Sequence, residues 1–264
     1  MARMLTDKVA VVTGGAMGNG EGIARVMASE GAIVCLWDID ATVFETARSI
    51  EAAGGRAWGV RVDISDGPGV VAAAGEVFER HGAADILVNN AAIAPEALFV
   101  DMTVEMRERV WRVNVGGAMN CTHALLPAMI RQRHGKIIIV SSVTGPLSAI
   151  PGLTMYAATK GALLGFTRNL AIEVAQYGIN VNTILPGTID TPLFRRSFDL
   201  LGPDAEEKKA AIGAPIPWGR VGTMAEIGGV AAFLASGWSD YVTGTEIVVD
   251  GGNRLVEWGE HPVH

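Results

Sequence analysis

The chain has no stretch approaching about 18 consecutive apolar residues, so no membrane-crossing helix is expected. The first apolar run, Val9 to Val12, follows Arg3 and Lys8 and stops at Thr13-Gly14, too short for the core of a secretory signal. It also has no basic run long enough to follow a phosphate backbone. Its 21 basic against 28 acidic residues leave a formal charge of −7, which argues against nucleic acid as a partner. There are only two cysteines, Cys35 and Cys121, and both sit in apolar segments. They are read as packed thiols in a reducing, cytoplasmic setting rather than as a disulfide framework. Histidines 81, 123, 134, 261 and 264 are scattered, without a spacing that would gather metal ligands, so no catalytic metal is expected. No repeat, low-complexity tract or Pro/Ser-rich linker divides the chain, and one domain over residues 1–264 is the expectation.

What is present is a rhythm. Short apolar, β-branched runs recur at Lys8–Thr13, Ala32–Trp37, Ala57–Val62, Asp85–Val88, Lys136–Val140, Ile179–Ile184 and Glu246–Val249. Between them, apolar residues at i, i+3 and i+4 predict helices over about 20–30, 40–53, 66–80, 103–131, 156–177 and 223–235. Strands alternating with helices of that length imply βαβ crossovers. The fold class is therefore α/β: a Rossmann-type, doubly wound parallel sheet of seven strands in the order 3-2-1-4-5-6-7, with helices on both faces. The 49% hydrophobic and 19% charged composition suits a sheet covered on both sides. Only 188–214 breaks the rhythm: Thr191-Pro192 can start a helix, but Gly202-Pro203 and Pro215 interrupt it, and the segment reads as a substrate lid.

Directly after the first strand comes Gly14-Gly15-Ala16-Met17-Gly18-Asn19-Gly20, followed by a helical run from Glu21. Glycines allow a tight turn and close backbone approach, and the N–H groups at the helix start favour an anion. The loop is thus a candidate pyrophosphate cradle, with a plain strand-to-helix turn as the alternative. The second strand ends at Asp38, whose carboxylate can accept both ribose hydroxyls of an adenosine and would repel a 2′-phosphate; neither Ala16 nor Met17 brings a cation. NAD is therefore expected over NADP, unless Asp38 merely caps the next helix. Asp63-Ile64 and Asn90 close the third and fourth strands at the same sheet edge, where they can line the adenine and ribose side.

Tyr156 and Lys160 stand four residues apart on one face of a predicted helix. An ammonium beside a phenol favours the phenolate and makes a proton-exchanging group at neutral pH, although such a spacing also occurs in plain surface pairs. Ser141-Ser142 closes the fifth strand upstream, where a hydroxyl can reach the reacting oxygen.

With these motifs together, the chain resembles the short-chain dehydrogenases/reductases over nearly its whole length. The resemblance implies an oxidoreductase acting on CH–OH groups, transferring hydride between NAD and a secondary alcohol or ketone. It implies Tyr156 as acid/base, Lys160 lowering its pKa and holding the nicotinamide ribose, Ser142 (with Ser141 the fallback) orienting the substrate oxygen, and Asn114 positioning the water of a proton relay. Pro186-Gly187-Thr188-Ile189-Asp190-Thr191 resembles the family's nicotinamide-binding turn. Within the family, Ser141–Gly145 and Tyr241-Val242-Thr243-Gly244-Thr245 suggest one bacterial oxidoreductase branch. Three departures stand out: Asn19 where isoleucine is usual, Ala92 for a glycine, and one extra residue between Ser142 and Tyr156. The family's habit of pairing such apolar helices between subunits implies a homotetramer through 103–131 and 156–177. The tail Leu255-Val256-Glu257-Trp258 covers either a neighbour's site or its own surface. A cofactor-binding sensor without turnover is the competing class; it would need the loop and Asp38 but not Asn114, Ser142, Tyr156 and Lys160 together.

Overall fold

A computed structural model describes residues 3–255. Seven strands, β1 (Val9–Thr13), β2 (Ile33–Asp38), β3 (Arg56–Arg61), β4 (Ile86–Asn89), β5 (Gly135–Val140), β6 (Ile179–Pro186) and β7 (Glu246–Val249), form one parallel sheet in the order β3-β2-β1-β4-β5-β6-β7. Alternate residues of a strand face opposite sides, so a sheet buried on both faces needs apolar residues at every position. β1 shows this directly. Ala10 and Val12 join one core with Ile23 and Met27 of α1 (Gly18–Ser29) and with Ala47 and Ile50 of α2 (Val43–Ala52). Val9 and Val11 join the other with Val70 and Val77 of α3 (Gly67–His81). Both cysteines lie fully buried in this second core, unpaired. Burial pushes both thiols up, that of Cys121 to about 12, and Trp37 Nε1 donates to Cys35 Sγ at 3.2 Å.

The helix expected over 103–131 is not one helix. It runs as α4 (Val104–Trp111), a π-helical turn (112–116) and α5 (Gly117–Gln132). The wider turn coincides with buried Asn114, whose amide bonds the backbone of Ile93: Ile93 N donates to Oδ1 at 2.8 Å and Nδ2 donates to Ile93 O at 2.9 Å. π-turns of this kind accommodate one residue that a regular helix would aim elsewhere. The next helix, α6 (Thr154–Val174), begins two residues earlier than predicted and ends in a 3₁₀ turn over 175–177.

The segment 188–214 also differs from a single broken helix. It carries α7 (Pro192–Ser197), capped by Thr191 Oγ1 accepting from Phe194 N at 3.2 Å, and α8 (Ala205–Gly213). Phe194 and Leu200 from this segment pack with Ile216 and Val221 into a small core of its own. α9 (Met224–Ala235) then returns to pack on α1 beneath the first face of the sheet. Leu255 is exposed, and Val256, Glu257 and Trp258 of the tail lie outside the described residues, as do His261 and His264. Among the described residues no helix is long and apolar enough to cross a membrane.

Candidate active site

The order of the strands reverses between β1 and β4, and such a switch point opens a crevice at the strands' carboxyl ends. The crevice is built from backbone. Gly14 takes φ +65°, a conformation that excludes most side chains, and a methyl there would stand 2.8 Å from Asn90 Nδ2. A methyl on Gly20 would stand 2.0 Å from Gly14 O. Asn90 braces the loop: its Nδ2 donates to Thr13 O at 3.0 Å and to Gly14 O at 3.2 Å. Thr13 Oγ1 in turn accepts from the backbone N–H groups of Asn90 (3.0 Å) and Ala91 (3.1 Å). The side-chain N–H groups of Asn90 are therefore committed to the loop. Met17 is exposed before α1, and Gly18 faces Thr191. Asn19 carries a buried Oδ1 without a hydrogen-bond partner among the described residues, an acceptor available to a bound group. The glycine cradle and this acceptor fit a dinucleotide.

Asp38 sits at the mouth of the loop, its Oδ2 accepting from Ala16 N at 3.0 Å and its Oδ1 from Asp40 N at 2.9 Å. It does not cap α2. That helix starts after Thr42, whose N–H donates to Asp40 Oδ1 at 2.9 Å. Arg61, missed by sequence reasoning, lies opposite Asp38 in the β2–β3 register and donates to Ile39 O at 3.0 Å. Asp63 Oδ1 accepts from Ser65 N at 2.8 Å. The Ile64 side chain is buried against Gly117 and its carbonyl accepts from Asn120 Nδ2 at 2.9 Å, so Ile64 can offer a ligand little beyond its N–H. Pro186 ends β6. Gly187 N donates to Val249 O at 2.9 Å, and the turn is pinned to the next segment by Asp190 N donating to Gly222 O at 2.9 Å, with Ile189 buried.

On α6, Tyr156 and Lys160 do share a face: the Lys160 ammonium lies 5.4 Å from the Tyr156 ring centroid. Ser142 stands close enough to the Tyr156 phenol to draw its pKa down, while its Oγ accepts from Thr144 N at 3.0 Å. Ser141 turns inward and donates to Lys160 O at 2.9 Å, so of the two serines Ser142 is the one beside the phenol. Between Ser142 and Tyr156 lies a tight turn, with Gly145 at φ +106° donating to Ser148 O at 2.8 Å. Ala92 is exposed, so its methyl meets no crowding. Asn114 joins this group through Thr159. Its Nδ2 donates to Thr159 Oγ1 at 3.1 Å, and Thr159 Oγ1 donates to Tyr156 O at 2.7 Å. Both N–H groups of the Asn114 amide are thereby spent, leaving none for a relay water. Among the described residues no group of three or more His, Cys, Asp or Glu side chains gathers as a metal site.

Residues 14–254 match the short-chain dehydrogenase model described as enoyl-(acyl carrier protein) reductase. The oxidoreductase UcpA of Escherichia coli K12 is 42% identical over 254 residues, spanning 96% of this chain and 97% of that one. The chain belongs to the short-chain dehydrogenase/reductase family. Galactitol 2-dehydrogenase of Agrobacterium fabrum is 40% identical over 258 residues, covering 95% of this chain and 99% of that one. Among solved structures, a gluconate 5-dehydrogenase from Burkholderia cenocepacia J2315, in complex with NADP and tartrate, superposes with a TM-score of 0.87 at 33% identity, covering 97% of this chain and 98% of that one. The branch suggested by 141–145 and 241–245 is that of UcpA, and this short-chain dehydrogenase/reductase is an oxidoreductase similar to it.

The electrostatics of its tyrosine differ from the expectation of a lowered phenol. Burial pushes Tyr156 above its usual 10.0, opposed only by the neighbouring Ser142. Lys160 is fully enclosed, donates to Val140 O at 2.7 Å, and has its ammonium held down to about 8 by burial. Loss of water thus dominates at both groups. A lysine lowered from 10.5 to about 8 binds fewer protons folded than unfolded, so its contribution makes stability rise with pH from about 8 towards 10.5. Tyr156 works in the opposite sense above about 10, which leaves pH 8 to 10 as the window to read. Urea midpoints of wild type should therefore rise relative to those of Lys160→Met between pH 8 and 10. Parallel curves would show that Lys160 titrates like an exposed lysine.

Proposed function

We propose that the chain interconverts secondary alcohols and ketones with a nicotinamide dinucleotide, preferring NAD, and that Tyr156 is the acid/base. The observation that carries this reading is the meeting of Ser142, just after β5, with Tyr156 and Lys160 on α6. When bound, the nicotinamide supplies the hydride acceptor or donor. The protein's part is a proton and its placement. Ser142 holds the substrate oxygen, Tyr156 gives its proton to a nascent alkoxide or takes one from an alcohol, and Lys160 stabilises the phenolate that results. Asn114, with its amide spent, serves as a positioning residue tying Ile93 to Thr159 and so to the Tyr156 backbone. Gly14, Met17, Gly18, Asn19 and Gly20 would hold the pyrophosphate, Asp63, Ile64 and Asn90 the adenosine side, and Pro186, Gly187, Ile189 and Thr191 the nicotinamide end. The segment 188–214 is the lid over that end.

NAD is favoured because Asp38, at the mouth of the glycine loop with Asp40 beside it, would repel a 2′-phosphate; with Arg61 opposing them, the three side chains leave a local balance of one net negative charge. The gluconate 5-dehydrogenase relative holds NADP, so this chain's choice rests on its own charges.

Exposed Met119 on α5 and Ile172 on α6 support pairing of these helices between subunits in a homotetramer. Light scattering on the purified protein should give about four times the 27.7 kDa chain mass; a monomer would remove that reading.

Tyr156→Phe keeps the ring and removes the proton. Turnover should fall at least about a hundredfold while NADH still binds, measured by NADH absorbance and fluorescence titration; near-normal turnover would exclude Tyr156 as acid/base.

Hydrogen bonds from ribose to a charged acceptor are worth about 1.5–3 kcal/mol, roughly a tenfold to hundredfold preference in affinity. Asp38→Ala should shrink the NADH over NADPH advantage by that order in paired titrations. An unchanged ratio would place cofactor choice elsewhere.

A further inference from the structure

Around Ser142 and Tyr156 the charges are accounted for and the apolar side chains are not. Residues 143–153, between β5 and α6, include no Asp, Glu, Lys or Arg, and residues 91–100 include one charge, the acid Glu96. These two stretches run side by side, Ala97 N donating to Gly152 O at 3.0 Å. They leave Leu98, Phe99, Leu147 and Ile150 exposed. The segment 188–214 adds exposed Leu193 and Phe198, the Phe198 ring lying 5.0 Å from that of Phe194.

That segment has four cations, and three are neutralised from within it. Arg195 donates to both oxygens of Asp190, at 2.6 and 2.8 Å. Lys209 is shared between Asp190 at 3.3 Å and Glu206 at 2.6 Å. Lys208 meets Asp204 at 3.1 Å and Asp199 at 3.6 Å. Only Arg196 has no carboxylate partner among the described residues. An anionic substrate entering here would lose water and find, beside the acid Glu96, the exposed Arg196 and the half-buried Arg107, whose guanidinium lies 5.9 Å from the Phe99 ring centroid with one N–H already given to Met102 O at 2.8 Å. A polyol would leave hydroxyls facing hydrocarbon without partners.

We propose that the substrate is an uncharged secondary alcohol or ketone whose skeleton beyond the reacting carbon is hydrocarbon. This rests on the oxidoreductase reading above and narrows it to a substrate class. Each methylene buried against such walls is worth about a fourfold gain in affinity.

The test follows NADH formation by the full-length enzyme with NAD and the series 2-butanol to 2-octanol, with 5-hydroxyhexanoate as the charged counterpart of 2-hexanol and sorbitol as the polyol. The proposal expects kcat/KM to climb about fourfold per methylene until the crevice is filled, with 5-hydroxyhexanoate and sorbitol at least tenfold below 2-hexanol. A flat series, or either polar compound as the best substrate, would overturn it. Phe198→Asp should flatten the series, whereas an unchanged slope in both Phe198→Asp and Leu193→Asp would remove the lid from the apolar wall and overturn the proposal as drawn. Arg196→Ala should leave the ranking unaltered; a ranking that depended on Arg196 would assign an anionic substrate instead. Should nothing turn over, 2-octanone and 2-butanone are titrated against the NADH-loaded enzyme. Binding that tightens with chain length keeps the apolar site and discards the oxidoreductase reading, and absence of binding discards both.

Discussion

The ligand edge of this sheet depends on the brace between Thr13 and Asn90, where β1 and β4 part. Parallel strands at a switch point have no neighbour to hold their next residues in register, so the loop carbonyls of Thr13 and Gly14 would otherwise turn to water. Asn90 takes both. Each such bond is worth only about 1 kcal/mol net, yet the contact is also steric, because Asn90 Nδ2 stands within 2.8 Å of where side chains at Gly14 and Gly20 would begin. The shape of the glycine loop, the proposed phosphate cradle, is therefore set by the protein's own contacts. Ordering costs are met on folding rather than on binding, which is the general advantage of a preorganised site.

The same economy shapes the tyrosine. Lys160 is buried with one acceptor given to its ammonium, the Val140 carbonyl, and Tyr156 is pushed towards its protonated form. Burial therefore favours the neutral phenol, and on the proposed mechanism Lys160, 5.4 Å from the ring centroid, is the positive charge on this chain that favours the phenolate needed for alcohol oxidation.

The sheet was legible because a strand buried on both faces must be apolar throughout, as in Val9–Val12 and Ile137–Val140, and because right-handed crossovers leave few orders for seven parallel strands. Tyr156, Lys160 and Asp38 were legible because their spacing to a strand end or along a helix face is local. The π-turn was not: one extra residue inside 103–131 barely disturbs a helical period, and only a polar Asn114 amid buried neighbours hints at it. α8 was hidden for another reason. Gly202-Pro203 reads as a breaker, yet it sits just before the helix, and Ala205–Gly213 has almost no apolar stripe to announce itself. Ser141 and Ser142 point to opposite sides of a strand end, and sequence alone cannot tell which side holds the phenol. Thr159, the link from Asn114 to Tyr156, lies inside the Tyr-x-x-x-Lys spacing as an ordinary helical threonine.

Arg61 shows what local reading costs in electrostatics. It is 23 residues from Asp38 in sequence but directly opposite it in the sheet register, and its guanidinium reaches the Ile39 carbonyl and acts on Asp40. The glycine loop brings no cation of its own; the folded sheet supplies one beside Asp38. The proposed preference for NAD therefore depends on arithmetic between neighbours rather than on Asp38 by itself. Two carboxylates against one guanidinium leave the pocket negative, and the guanidinium is already oriented by a carbonyl, so turning it to a phosphate would break that bond. Because Arg61 is exposed and Asp38 is half-buried, solvent screens the cation more than the acid, and on the proposed reading a 2′-phosphate would meet the residual repulsion.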